Sequence, residues 1–130
     1  MAFRVSLFIF ALALFSLPAQ AQVQKINTLA GNGAAAFGGD GSNASGASLW
    51  GPTDVALDSN MNLYIVDYNN YRIRKVTPGG LITTIAGTGI AGNSGNVARA
   101  SSANIAPKGI DFDRRGNLFF SDPYNKIIRK

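Results

Sequence analysis

The stretch Asn62 to Val76, N-L-Y-I-V-D-Y-N-N-Y-R-I-R-K-V, decides the fold because most of it is written twice. Residues Asn117 to Lys130 read N-L-F-F-S-D-P-Y-N-K-I-I-R-K, at an offset of 55. Fixed-period similarity marks a repeat architecture, in which one supersecondary unit is copied because alone it cannot bury its hydrophobic face. A sheet wetted on one side would alternate apolar and polar residues. Leu63-Tyr64-Ile65-Val66 and Leu118-Phe119-Phe120 are apolar on both faces, so each sheet needs a cover on either side. Four-stranded antiparallel sheets set radially, each between two neighbours, meet that need. The expected fold class is therefore all-β, with about two blades' worth of an incomplete β-propeller. Arg72-Ile73-Arg74-Lys75-Val76 carries charge, which suits a strand far out in its blade, near water.

Outward from this stretch the chain reads as short strands. Thr53–Asp58, Leu63–Asp67, Arg72–Thr77 and Leu81–Ala86 are joined by tight links, among them Pro78-Gly79-Gly80. Pro followed by Gly suits a type II turn, Pro fixing the first central φ and Gly accepting the positive second one. Lys108–Asp113, Leu118–Asp122 and Ile127–Lys130 repeat the pattern. Upstream, Lys25–Ala30 is a brief β-prone piece. Ile26–Gly33 (I-N-T-L-A-G-N-G) matches Ile82–Gly89 (I-T-T-I-A-G-T-G) at an offset of 56, and Pro52 matches Pro107 at 55, so one residue drops out near Trp50. Gly31–Gly51 and Gly87–Pro107 hold 11 of the 15 glycines and show no periodicity, which predicts long loops. Helix signals are missing from the chain after residue 21: there is no Glu, no i, i+3, i+4 apolar stripe and no capping box. The expected division is 1–21 leader, 22–51 closing strand and Gly-rich loop, 52–86 first blade, 87–107 inter-blade loop and 108–130 second blade, truncated.

The leader reading rests on Arg4, the apolar run Val5 to Leu17, and the small-x-small site Ala19-Gln20-Ala21. That run falls short of the ~20 residues needed to span a bilayer. Cleavage is expected after Ala21, with a destination in the periplasm or the medium and no membrane attachment afterwards. The chain has no Cys, so packing alone must hold the exported part together. Without Arg4 the formal net charge falls from +5 to +4, a modest positive field spread among aspartates.

The residues Pro52-Thr53-Asp54-Val55-Ala56-Leu57-Asp58, then Asn62 to Asp67, then Asn70 to Val76 resemble the NHL repeat, in the variety with glycine-rich spacers found in exported bacterial proteins. The second copy is similar, from Pro107 through Asp111, Asp113, Gly116, Asn117, Asp122 and Asn125 to Lys130. The resemblance implies a propeller, commonly six-bladed, serving as a binding platform. Its repeat signature here is Pro52, Asp58, Asn62, Asp67, Asn70 and Arg72, and Pro107, Asp113, Gly116, Asn117, Asp122 and Asn125. The chain departs from the pattern at Asp54, where the family usually has Gly, and at Met61, where the second copy has Gly116. The first hairpin is expected to place Asn60 at positive φ instead of Met61. Ile127 stands in the place of Arg72. Eight strands are enough for two of the about 4 to 8 blades of a propeller. The sequence thus reads as a piece of a longer propeller, or an open unit that must assemble through further blades or self-association. Expressed alone, it is expected to be oligomeric or aggregated.

Several motifs suggest chemistry. Gly87-Thr88-Gly89-Ile90-Ala91-Gly92 spells G-x-G-x-x-G, with Asp111 about 20 residues on. Asn93-Ser94-Gly95-Asn96 follows where a phosphate-binding helix should begin, so a flexible inter-blade link is the preferred reading. Asp58-Ser59-Asn60-Met61-Asn62 spaces oxygen ligands like a calcium loop but lacks its glycine and distal Glu; a hairpin turn explains it. Asp40 is expected to cap its own loop. Asp67 and Asp122, one per copy, are expected to accept hydrogen bonds from their turns, Asp67 with Arg72 as a partner. With no His anywhere, a Ser-His-Asp triad and the histidine-bound zinc of the amidating lyases that share this fold are both absent. A basic stripe of Arg72, Arg74, Lys75, Arg129 and Lys130 reads as solvated strand edge and not as an RNA surface. Asn43-Ala44-Ser45 is a glycosylation sequon, relevant only in a eukaryotic secretory pathway.

No catalytic, cofactor-binding or metal-ligating residue is assigned, and no cofactor is expected. The expected function is a non-catalytic exported scaffold for a protein or carbohydrate partner, with the glycine-rich loops lining a contact rim. The alternative is a piece of a lactonase-like or lyase-like propeller enzyme whose active site lies in other blades.

Overall fold

The structure, a computed structural model, describes residues 25–130; the leader reading falls on residues outside that range. Eight strands form two antiparallel sheets. The first contains β1 (Ser42–Asn43), β2 (Pro52–Leu57), β3 (Leu63–Asp67), β4 (Arg72–Val76) and β5 (Leu81–Ala86), in the order β1-β5-β4-β3-β2. The second contains β6 (Ile110–Phe112), β7 (Leu118–Asp122) and β8 (Ile127–Arg129), in that order. From β2 to β5 and from β6 to β8 consecutive strands pair, because these strands carry β-branched and aromatic residues and their links supply turn chemistry. Register follows the turns: Leu63 faces Val76, Asp67 faces Arg72, and in the second sheet Asp122 faces Ile127. The only helical geometry among the described residues is three single 3-10 turns, at Ala44–Gly46, Tyr68–Asn70 and Ala100–Ser102. Among those residues no helix is long and apolar enough to cross a membrane.

The doubly apolar strands are covered as their pattern requires. Val66 and Ile73 face the second sheet and pack with Ile105, Ile110 and Phe120. Ile65, Val76 and Ile82, on the opposite face, are roofed by Ala44 and Ala47 of the first glycine-rich loop. Fully burying one such aliphatic side chain is worth about 1.5–3 kcal/mol. The two sheets therefore lie face to face like adjacent blades, with Ala103 and Ile105 of the second loop between them.

Four expectations need correction. Lys25–Ala30 is not a strand; the fifth strand of the first blade is Ser42–Asn43, on the outer edge of β5. β4 is no wet outer strand, since Ile73 and Arg74 are fully buried and it lies between β3 and β5. The glycine-rich segments are not featureless links. Their backbones fold alike: Gly31 donates to the carbonyl of Ala44 as Gly87 does to Ala100, and Ala44 and Ala47 close the same turn as Ala100 and Ala103. The first hairpin turns on Met61 at φ 62°, in the position that Gly116 holds at φ 80°, and Asn60 is not the residue at positive φ.

Candidate functional site

One set of polar residues shared by the two copies, Asp67 with Asn70 and Asp122 with Asn125, sits where a strand end and the turn after it meet the glycine-rich loop. Asp67 ends β3 and is completely buried. One of its carboxylate oxygens accepts from the amide of Trp50 at 2.8 Å, and the Asn70 side-chain amide donates to both oxygens at 2.9 Å. The partner guanidinium is that of Arg74, whose Nη1 lies 3.1 Å from Asp67, and not that of Arg72. Arg72, Arg74 and Asp67 share one face, because Asp67 faces Arg72 directly and Arg74 sits diagonally. Arg74 reaches onward into the first loop, donating to the carbonyl of Gly38 at 3.0 Å and to Asp40 at 2.7 Å. Asp40 therefore anchors an arginine instead of capping its own loop. Partial burial pushes the Asp40 carboxyl up, but the neighbouring Thr84 and Arg74 outweigh it and hold it below the usual carboxylate range.

The second blade repeats the hub more loosely. Asp122 accepts from the amide of Ala106 at 3.3 Å and from the Asn125 side chain at 2.9 Å, with Arg129 3.9 Å away. Arg129 donates to the carbonyls of Asn104 and Ser94 at 3.1 and 2.8 Å, as Arg74 does to Ser48 and Gly38. Asn70 and Asn125 each tie their hub to the overlying loop, through the carbonyls of Ala36 and Gly92 at 2.8 and 2.7 Å. The loop-pinning role of Arg74 and Arg129 was missed in the sequence. Its trace was there: Ala44-Ser45-Gly46-Ala47 and Ala100-Ser101-Ser102-Ala103 recur at the offset of 56 already set by Ile26 and Ile82.

At the opposite end, Asp58 and Asp113 organise the hairpins. Asp58 accepts from the amides of Asn60 and Asn62, the Asn62 side chain at 2.7 Å and the Tyr64 hydroxyl at 3.1 Å. Asp113 does the same with Arg115 and Asn117. The side-chain bond from Asn62 holds Asp58 below the usual carboxylate range, and that from Asn117 holds Asp113 there. Burial, with the Asp58 carboxylate beside it, pushes the Tyr64 phenol up. These oxygens point at their own turn, which leaves the Asp58–Asn62 segment a hairpin and no calcium loop.

The remaining candidates fall to packing. Arg72 donates to the carbonyls of Asn70 and Thr88 and lies 3.8 Å over the Phe37 ring. Gly89 and Gly87 are glycines because the Arg72 guanidinium and the Tyr71–Arg72 backbone occupy the space a Cβ would need. The G-x-G-x-x-G segment thus shapes a blade junction, and Gly92 leads into loop, not helix. Arg74 and Arg129 point into their hubs while Lys75 and Lys130 lie over Tyr64 and Phe119, so the basic residues form no continuous stripe. Asp54 accepts from the amide of Ile110 at 2.8 Å, and Thr53 donates to the carbonyl of Lys108 at 2.7 Å. These two bonds staple the inner strands of neighbouring blades. Pro52 starts β2 in the open, whereas its counterpart Pro107 is fully buried between blades.

Antiparallel meanders, duplicated, laid face to face and stapled along their inner strands, define part of a β-propeller. Residues 49–76 match the family model of the NHL repeat, and the chain carries that repeat. Solved structures agree in fold. An "auxiliary nutrient binding protein" from Bacteroides thetaiotaomicron is 28% identical with TM-score 0.60, over 77% of this chain and 26% of that one. A second protein of that name, from Bacteroides ovatus, is 24% identical with TM-score 0.52, over 72% and 25%. A Bacteroides thetaiotaomicron protein named "Putative phosphatase" is 21% identical with TM-score 0.53, over 72% and 24%. The chain spans about a quarter of the length of these structures. No curated protein sequence matches it significantly.

Proposed function

We propose that this chain is part of an exported, non-catalytic propeller scaffold that binds a protein or carbohydrate partner at the loop rim. One observation carries the reading: all seven carboxylates of the chain accept structural hydrogen bonds. Asp67 and Asp122 serve the hubs, Asp58 and Asp113 the hairpins, Asp40 anchors Arg74, Asp54 staples the blades, and Asp111 receives the amide of Phe112. An acid or base in catalysis must exchange protons with a substrate, and the six aspartates other than the exposed Asp111 are engaged by turns, arginines or the neighbouring blade. Nine of the twelve signature residues take the same part: Asp67, Asn70, Asp122 and Asn125 build the hubs and Asp58, Asn62, Asp113, Gly116 and Asn117 the hairpins, while Arg72 bonds the loop at Thr88 and Pro52 and Pro107 lie outside both. The name of the 28% identical Bacteroides thetaiotaomicron protein, which speaks of nutrient binding, supports a ligand-binding role. The apolar leader and small-x-small site at Ala19–Ala21 support export.

Titrating the purified protein against panels of oligosaccharides and peptides tests this, followed by calorimetry on any hit. Binding without turnover is expected. Turnover of a lactone or phosphate monoester that disappears in Asp111→Asn or Asp54→Asn would overturn the reading.

A further inference from the structure

At the end opposite the loop rim, the hairpins of the two blades flank a cleft of about 370 Å³, lined by Ser59, Phe112, Arg114 and Arg115, with Asp58 and Asp113 at the turns. That volume falls in the range of about 300–1,000 Å³ usual for small-ligand sites. The turn itself does not call for the arginines. The first hairpin closes with Ser59 and Asn60 in their places, and Asp58 accepts from the amide of Asn60 as Asp113 does from that of Arg115, both at 2.9 Å. Nor do the nearby carboxylates pair with them. Asp58 is taken up by Asn60, Asn62 and Tyr64, and Asp113 by Arg115 and Asn117 through their amides, while no ion pair among the described residues involves Arg114 or Arg115. Lys75, over the Tyr64 ring, and Lys130, whose charge acts on Asp113, bring the cations around the cleft to four against two carboxylates.

The cleft lies at the junction of the two blades, and its tips are open in both copies. Ser59 and Asn60 are exposed with the second blade beside them, and Arg114 and Arg115 are exposed with the first blade beside them.

We propose that this cleft is a binding site for an acidic saccharide, whose carboxylate or sulfate group is held by Arg114 and Arg115. A guanidinium presents paired N–H donors that match two oxygens of such a group. The Ser59 hydroxyl supplies a partner for a sugar hydroxyl, and Phe112 an apolar wall for the C–H face of the ring. The need for an anion rests on the unpaired arginines alone; the choice of a saccharide rests on the exported-scaffold reading above.

Calorimetry of the purified protein with oligogalacturonate and with a chondroitin sulfate oligosaccharide tests this. Binding of at least one is expected, with the methyl ester or desulfated form, which keeps the rings and loses the charge, at least about tenfold weaker. Arg114→Ser combined with Arg115→Asn installs the residues of the first hairpin, so the turn is kept, and should weaken binding by a similar factor. Lys25→Gln combined with Lys108→Thr removes two exposed cations outside the cleft and should leave it unchanged. No binding of either acid, an equal loss in the two double variants, or equal affinity for inorganic polyphosphate overturns the proposal. Ligands of the loop rim should bind the wild type and the double arginine variant alike, which separates failure of this site from failure of the scaffold reading.

Discussion

At the scale of single residues, Met61 and Asp58 show how the hairpins are held. Met61 adopts φ 62° with its side chain in solvent. Left-handed backbone costs an ordinary L-residue about 1–2 kcal/mol, against which the extra unfolded-state freedom of glycine must be set. Met61→Gly is therefore expected to stabilise the protein by about 0.5 kcal/mol, raising its melting temperature by about 2 °C. A fall in a calorimetric scan would show that Met61 contributes packing its exposure conceals. Val97, fully exposed at φ 58° where the first loop has Gly41 at φ 78°, is strained for the same reason. Asp58, Asp113 and Asp40 titrate below 3.8 in the folded state. Depressed folded values mean the stabilisation is fully present above 3.8 and is lost as pH falls below it, through the folded values. Melting temperature measured from pH 6 to pH 2 should drop steeply at the acid end, and less steeply in Asp58→Asn. An unchanged acid slope in that variant would remove Asp58 from the account.

At the scale of elements, the glycine-rich loops are tied to the strands by buried arginines. Asp67 and Arg74 are both fully buried. Breaking such a pair by removing one partner costs about 3–5 kcal/mol, because the survivor is left charged and unpaired. Arg74→Met should approach that loss. Arg129→Met should cost less, since Arg129 stands 3.9 Å from Asp122 and is partly exposed. Chemical denaturation of both variants checks the order; equal losses would mean that the looser geometry of the second hub has no energetic meaning. These ties also explain what could and could not be seen in the sequence. The strands from Pro52 to Ala86 were legible because apolar runs broken by Asn, Gly and Pro leave few alternatives. The hub aspartates were legible as turn acceptors from their recurrence. Which arginine Asp67 would take was less plain, because Arg72 and Arg74 share a face and the path of the loop over Gly38 and Asp40 separates them; the one sequence trace was the second copy, where Ile127 replaces Arg72 and leaves Arg129 for Asp122. The loops looked unstructured because alanine and glycine carry no pattern of polarity. Their order comes from small size: a Cβ on Gly39 or Gly95 would lie 2.6 Å from an atom of Ala47 or Ala103.

At the scale of the whole molecule, a repeat distributes stability by neighbour, each unit held by its own core and by the units beside it. The first blade has five strands, with its faces covered by Ala44 and Ala47 on one side and the second blade on the other. The second has three strands, and Ile128 on its far face is open. Its hub is also the weaker one, with Asp122 and Arg129 beyond close contact. Local opening follows the density of buried contacts. Amide exchange measured on the protein as a monomer should therefore be slowest in β3 and β4 and faster in β7 and β8. Protection of β7 and β8 equal to that of β3 and β4 would mean that the density of buried contacts and the tighter hub do not set the order of opening.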